Sequence, residues 1–593
     1  MREMLSLSKQ SKLLYLQNRD ILTLIFHFPQ TNKKKNIVED IMKKTFLLFI
    51  LALCSIALFA QNEDWFWAKK AGGTSYDNGL SIAIDANENS YVTGYFSGSA
   101  TFGTTTLTSS SEYYSDIFVA KLDNNSNWLW VKQAGGTNWD YGYGIAVDAN
   151  GNSYVTGYFY NSATFGTTTL TSSGYADIFV AKLDSNGNWL WAKKAGGTSD
   201  DCGYGIAVDA NGNSYVTGYF KSNATFGTTT LTSGGIYDIF VAKLDSSGNW
   251  LWAKQAGGAS FDYGYGIAVD DNGKSYVIGY FEDSATFGTT TLTSSGNSDI
   301  YVAKLDCNGN WLWAKQAGGT GWDDYGRGIA VDANGNSYVT GYFWDSATFG
   351  TTTLTSSGCN DIFVAKMDNS GNWLWVKQAG GTDYDCGYGI AVDANGNSYI
   401  TGCFNYIATF GTTTLTSSGS TDIFIAKLDS SSNWLWVNQA GGTIDDGGRS
   451  IAVDANGNSY VTGYFEESAT FGTTTLISSG YEDIFVAKLG EVNSIDLPDI
   501  ISFSGIHSIY PNPFNPLTTI DYEISMPADV KIEVYNNRGQ LVRNFILGYK
   551  KQGSYKLTWE GEDNNGCLCS TGIYYIRMQA GKEIYIKKAV LLK

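Results

Sequence analysis

Three adjacent carboxylate pairs, Asp200/Asp201, Asp323/Asp324 and Asp445/Asp446, stand in segments that join apolar runs. Two carboxyls flanking one bond can divide acid and base roles, as glycosidases do. A second pattern, Asp-x-Asn-Gly-Asn at Asp148–Asn152, supplies the oxygen-rich opening of a calcium loop. Such a loop closes on a bidentate glutamate at its twelfth position, and here Phe159 stands there. A hairpin turn is therefore the preferred reading, with calcium as the alternative and no other cofactor or metal expected. Aromatic residues beside acids form a third pattern. Tyr76, Trp139, Phe261, Trp322, Tyr384 and Trp344 fall where otherwise equivalent segments differ from one another. Such a surface suits a glycan or a peptide, although drift of exposed loops leaves the same trace.

Other chemistry is excluded by composition. The 593 residues include 2 histidines, His27 and His507, so 61–497 holds none. That removes Ser-His-Asp and Cys-His catalysis from this body, along with histidine-ligated zinc or iron. The 8 cysteines match no zinc ribbon or dense disulfide framework. Cys202 and Cys386 occupy the position that Tyr141, Tyr263 and Tyr325 hold elsewhere.

The elements that must position these residues repeat. Asp-Ile-(Phe/Tyr)-(Val/Ile)-Ala-Lys begins at Asp116, Asp177, Asp238, Asp299, Asp361, Asp422 and Asp483, at spacings of 61, 61, 61, 62, 61 and 61. The Asp-Ala-Asn-Gly-Asn phrase has its first aspartate at 85, 148, 209, 270, 332, 393 and 454. Trp-x-Trp starts at 65, 128, 189, 250, 311, 373 and 434. Three markers each count seven. One repeat reads as four strands, in the second copy Gly144–Asp148, Ser153–Phe159, Asp177–Leu183 and Asn188–Lys194. Alternation and β-branched or aromatic content support each strand, and Gly151 and Gly187 supply the turns. A threonine-rich connection joins the second strand to the third. The two rings of each Trp-x-Trp are expected on one face of the fourth strand.

Four turn-punctuated strands repeated seven times predict a seven-bladed β-propeller. The body opens on a fourth strand with nothing before it, Trp65–Lys70, and ends on a third strand, Asp483–Leu489. An N-terminal strand completing the last blade would close the ring and remove its exposed edges. Through GIAVDANGNSYVTGYF and DIFVAKLDSNGNWLWAKKAGG the repeats resemble the bacterial SBBP β-propeller repeat family. That resemblance implies a secreted or surface scaffold with no fixed chemistry.

Met42-Lys43-Lys44 followed by the apolar run Thr45–Phe59 and Ala60 reads as a signal peptide over 42–60. Residues 1–41 then read as a mis-assigned extension. Beyond the propeller (61–490) and a linker (491–508), the period stops and prolines appear. Short strands over 509–593 predict a small immunoglobulin-like sandwich. Its phrases YPNPFNP, VKIEVYNNRGQLVR, GSYKLTWEGEDNNG, STGIYYIRMQAGK and KKAVLLK resemble the type A C-terminal sorting domain of the type IX secretion system, close to FlgD-like Ig domains. This implies the secretion machinery as a partner and a secreted or outer-membrane surface-attached protein.

The body from 61 to 497 carries 19 basic and 44 acidic side chains, net −25. That charge repels phosphate backbones, so nucleic acid is not expected as a partner. Near-identical repeats offer little of the asymmetry that separates an acid from a nucleophile. The chain is read as an all-β, non-enzymatic scaffold for adhesion to an extracellular glycan or protein. A structural surface component without ligand and a glycan-active enzyme are the alternatives.

Overall fold

The computed structural model describes residues 63–111, 113–491, 504–524, 527–551, 553–581 and 583–592. The extension and the signal peptide lie outside the described residues. The chain divides into two compact units after Glu491, and every element among the described residues is a strand.

The first unit is a β-propeller whose pairings make seven four-stranded antiparallel blades. In the second blade the strands are Asp140–Val147, Ser153–Phe165, Thr168–Leu183 and Trp189–Gly197. The first therefore starts at Asp140 rather than Gly144. The threonine-rich stretch is not a plain connection. It is a hairpin pairing Ser162 with Thr171 through Phe165 with Thr168, turned at Gly166 with φ +63°. Ala163 and Phe165 are buried and the threonines exposed, with Thr164 and Thr169 hydroxyls 3.0 Å apart. The hairpin reaches back to the preceding blade, where Ala134 pairs with Phe165 and Gly135 with Thr164. Only glycine fits at 136, because a Cβ there would lie 1.8 Å from the Ser162 carbonyl oxygen.

The tryptophans correct the expectation of a shared face. Lys121 pairs with Trp130 and Leu122 with Trp128, so Leu129 is an extra, exposed residue. Such a bulge resets the alternation of a strand. Trp128 consequently packs with Phe96, Phe102 and Phe118 on one side of its blade, and Trp130 with Tyr91 and Ile117 on the other. Each blade thus wedges one ring into each neighbouring interface. Trp130 Nε1 also donates to the Ser185 carbonyl of the next blade at 3.1 Å. Seven such apolar interfaces run round the ring. Each buried Phe or Ile contributes about 1.5–3 kcal/mol.

The ring closes through its first strand. Glu63–Gly73 pairs antiparallel with the last strand, from Glu63 opposite Glu491 to Ala71 opposite Ile484. Across this seam Ile82, Val92 and Phe96 pack against Tyr460, Ile484 and Val486, and Lys488 pairs with Glu88 at 3.1 Å.

An aspartate at or just before the start of each blade's first strand ties adjacent blades together. Asp140 is fully buried and accepts from Gly136 N of the preceding blade at 2.7 Å and from Tyr160 N of its own at 3.1 Å. Asp77, Asp201, Asp324, Asp385 and Asp446 repeat both bonds at 2.6–3.1 Å, and Asp262 keeps the first at 2.7 Å. Burial, and then the third-strand aspartate beside each, raises these carboxyls to about 7 at Asp77 and about 8 at Asp140, Asp262 and Asp446.

The second unit packs a three-stranded sheet and a four-stranded sheet around Trp559, Ile520, Ile532, Val534, Ile576 and Leu591. Its first strand, Gly505–Tyr510, begins within the stretch read as a linker. Leu541–Lys550 is a strand that pattern alone did not suggest.

Two outcomes test this architecture. Deleting residues 63–73 should open the seam, lowering the thermal midpoint and producing oligomers through the freed edges, measured by calorimetry and light scattering. A carboxyl with a folded pKa above its unfolded value near 4 binds extra protons when folded, so stability falls as pH rises between them. The propeller should therefore melt at higher temperature at pH 5 than at pH 9, and Asp140→Asn should narrow that gap.

Candidate functional site

Each aspartate strut fixes the loop that leads into its blade. Asp262 N also donates to the Tyr237 carbonyl of the preceding blade at 3.0 Å, and Asp385 N to that of Asn360 at 2.9 Å. Tyr76 bridges in parallel to Glu482, and Phe261 to Tyr237. With its base pinned at both sides, a loop can carry varied side chains without moving the blades.

Tyr76, Trp139, Phe261, Trp322 and Tyr384 fall on these loops, and Trp344 lies in the second strand of its blade, paired with Asn360. Tyr76 stacks on Tyr481, with centroids 4.9 Å apart. Trp139 packs edge-on against Tyr114 at 4.7 Å and Tyr160 at 6.3 Å. Phe261 is half-buried and lies 5.5 Å from Tyr237. Trp322 is 73% exposed. Tyr384 and Trp344 are 6.1 Å apart, the one pair among the six in ring contact. The structure thus brings two of them together and spaces the others around the ring.

The carboxylate pairs divide their labour differently from an acid–base pair. Asp201, Asp324 and Asp446 are the buried struts, each bonded to two backbone N–H groups. Asp200, Asp323 and Asp445 are half-buried in the loops. In the Asp148 turn, Oδ1 accepts from Asn150 N and Asn152 N, and Oδ2 from Asn152 Nδ2 and Tyr154 Oη, all within 3.2 Å. The turn itself occupies both oxygens.

Sequence reasoning missed a pocket of about 530 Å³ on the propeller axis. One column of first-strand residues converges there: Leu80, Tyr143, Tyr204, Tyr265, Arg327, Tyr388 and Arg449. Each follows a glycine that lets its strand pack closely on the preceding blade, as at Gly142, where a Cβ would meet Thr93 Oγ1 at 2.5 Å. Asn78, Tyr95, Tyr141 and Tyr158 complete the lining. Burial raises the phenols of Tyr143, Tyr158 and Tyr204 well above their usual range, and Tyr342, against the pull of Arg327, to about 12. At neutral pH these groups are intact hydroxyls able to donate and accept. Cys386 and Cys403 face each other on paired strands beside the pocket, where three other blades carry Tyr at the first position and all six others at the second.

Ring contacts connect loops and pocket. Trp139 touches Tyr160, Tyr160 lies 5.7 Å from Tyr158, and Tyr158 lies 5.2 Å from Tyr141 and 5.8 Å from Tyr143. From Phe261 the path runs through Tyr237 and Tyr263 to Tyr265. The pocket and the variable loops therefore belong to one aromatic surface. Its signal in the sequence was a variable position between glycines in an otherwise uniform strand.

Comparison with known proteins finds the beta-propeller repeat over 129–158, 190–222, 251–280, 312–342 and 374–402, and an FlgD Ig-like domain over 516–583. An uncharacterized WD repeat-containing protein of Acanthamoeba polyphaga mimivirus is 25% identical over 435 residues, 58% of this chain and 31% of the relative. The regulatory protein FlaEY of Caulobacter vibrioides is 27% identical over 316 residues, 49% of this chain and 32% of the relative. The chain thus spans about a third of the length of the curated relatives it matches. Among solved structures, PorZ, a surface component of the type-IX secretion system of Porphyromonas gingivalis, aligns over 87% of this chain and 81% of its own at 11% identity and TM-score 0.14. YCF48 bound to a D1 peptide aligns over 58% of this chain and 90% of its own at 11% identity and TM-score 0.28. Superpositions this loose carry no functional argument.

Proposed function

We propose that the chain is an exported, non-catalytic binding scaffold that holds an extracellular glycan or protein on the loop face of its propeller. The observation that carries this reading is the division of the repeat. Turns, struts and interfaces are near-identical from blade to blade, while the aromatic residues vary where loops meet solvent. Exposed aromatic faces offer large contact area at small entropic cost. The locking of one carboxylate of each pair into a structural strut favours binding over hydrolysis. The second unit, by its sequence resemblance, serves as the sorting signal read by a type IX secretion machinery. The protein is then secreted or attached to the outer-membrane surface.

A glycan array probed with the purified full-length chain tests this. A specific signal is expected, and Trp139→Ala with Trp322→Ala should abolish it while leaving the melting curve unchanged. An array signal that survives both substitutions would sink the loop-face reading.

A further inference from the structure

The propeller contains two arginines, Arg327 and Arg449, and both line the axial pocket at one repeat position. We propose that this pocket binds a carboxylate-bearing sugar, its carboxylate held by these two guanidinium groups and its ring lying against the tyrosines. The inference rests on the reading above in taking the loop face as the side from which ligands approach.

Charge placement argues for an anion. Five lysines at one repeat position have acid partners: Lys121, Lys182, Lys243, Lys366 and Lys488 lie 3.7–4.0 Å from the turn aspartates. Neither arginine forms an ion pair among the described residues. Arg327 donates one bond to Tyr342 Oη at 2.9 Å and lies 4.0 Å over the Tyr265 ring. Arg449 lies 4.9 Å from the Tyr388 ring and 5.0 Å from that of Tyr464. The Nε atoms of both are buried without an acceptor. No acid lines the pocket, and Glu482, which feels the charge of Arg449, is bonded to Asn78 Nδ2 at 3.1 Å. In a body of net −25, a cavity lined by two cations and no anion runs against its surroundings.

The fold does not require these cations. Four other blades carry tyrosine at the same position and one carries leucine. Each guanidinium is half-buried without an acid partner, and cation–π contacts only partly replace the hydration it loses. A guanidinium fork matches a carboxylate in geometry and in charge. The remaining lining, phenol rings with Leu80 and one amide, offers flat apolar faces and hydrogen bonds together. A pyranose presents both. The cavity lies within the roughly 300–1,000 Å³ of small-molecule sites.

Calorimetric titration of the full-length protein with sodium glucuronate, beside glucose and sodium sulfate, tests the proposal. Glucuronate should bind saturably and at least about tenfold more tightly than either comparison probe. Arg327→Tyr and Arg449→Tyr install the residue that four other blades already accept. Each should weaken glucuronate binding about tenfold or more without lowering the melting temperature. Glucose binding as tightly as glucuronate, sulfate binding as tightly, or affinity undiminished in the double variant would each overturn the proposal. If a variant fails to fold, the comparison of probes on the unaltered protein still decides. Trp139 and Trp322 do not line the pocket, so their removal should spare glucuronate binding. An array signal on neutral glycans that outlasts both tryptophan substitutions, with intact glucuronate binding, defeats the loop-face reading alone, and a tryptophan-dependent array signal without glucuronate binding defeats this one alone.

Discussion

A carboxyl group sealed from water between two blades is the constraint on which the propeller depends. Burying a polar group is costly unless hydrogen bonds replace its hydration. Asp140 meets that requirement with one N–H from the preceding blade and one from the end of its own second strand. Three pieces of chain are thereby fixed by one side chain: the outer strand of one blade, the loop between blades, and the rim of the next. The aromatic interfaces contribute more free energy in total, but they are non-directional. The struts set the loop positions, and the loop face takes its shape from them.

Much of this was legible in the sequence because the repeat is nearly exact. Three markers recurring at a spacing of 61 to 63 predicted a seven-fold β-propeller, and the unmatched strand at Trp65 indicated how the ring closes. What local pattern did not reveal follows from departures in register and from distance along the chain. Trp128 and Trp130 look like same-face neighbours until the extra residue Leu129 is inserted opposite a continuous partner strand. That insertion depends on pairing, which a single strand does not display. The hairpin at Ser162–Thr171 hid behind its threonines, although the alternation of Ala163 and Phe165 with polar residues has the period of a strand. The axial pocket was least legible. Its lining residues are about a full repeat apart, and only closure of the ring brings them together.

Repetition also restricts where recognition can arise. A side chain present in all seven blades faces seven equivalent environments, so it does not by itself distinguish one side of the ring from another. Asymmetric recognition is confined to positions that differ between blades and still share a solvent space. The loop aromatics satisfy the first condition, yet their spacing around the ring leaves Tyr384 and Trp344 as the one touching pair among them. The axial column satisfies both conditions, since Leu80, four tyrosines and two arginines meet in one cavity. Arg327 and Arg449 stand in the fifth and seventh blades with Tyr388 of the sixth between them, so positive charge gathers on one side of an otherwise neutral ring. A uniform scaffold thereby acquires a direction at its centre, where any ligand is forced to meet several blades at once.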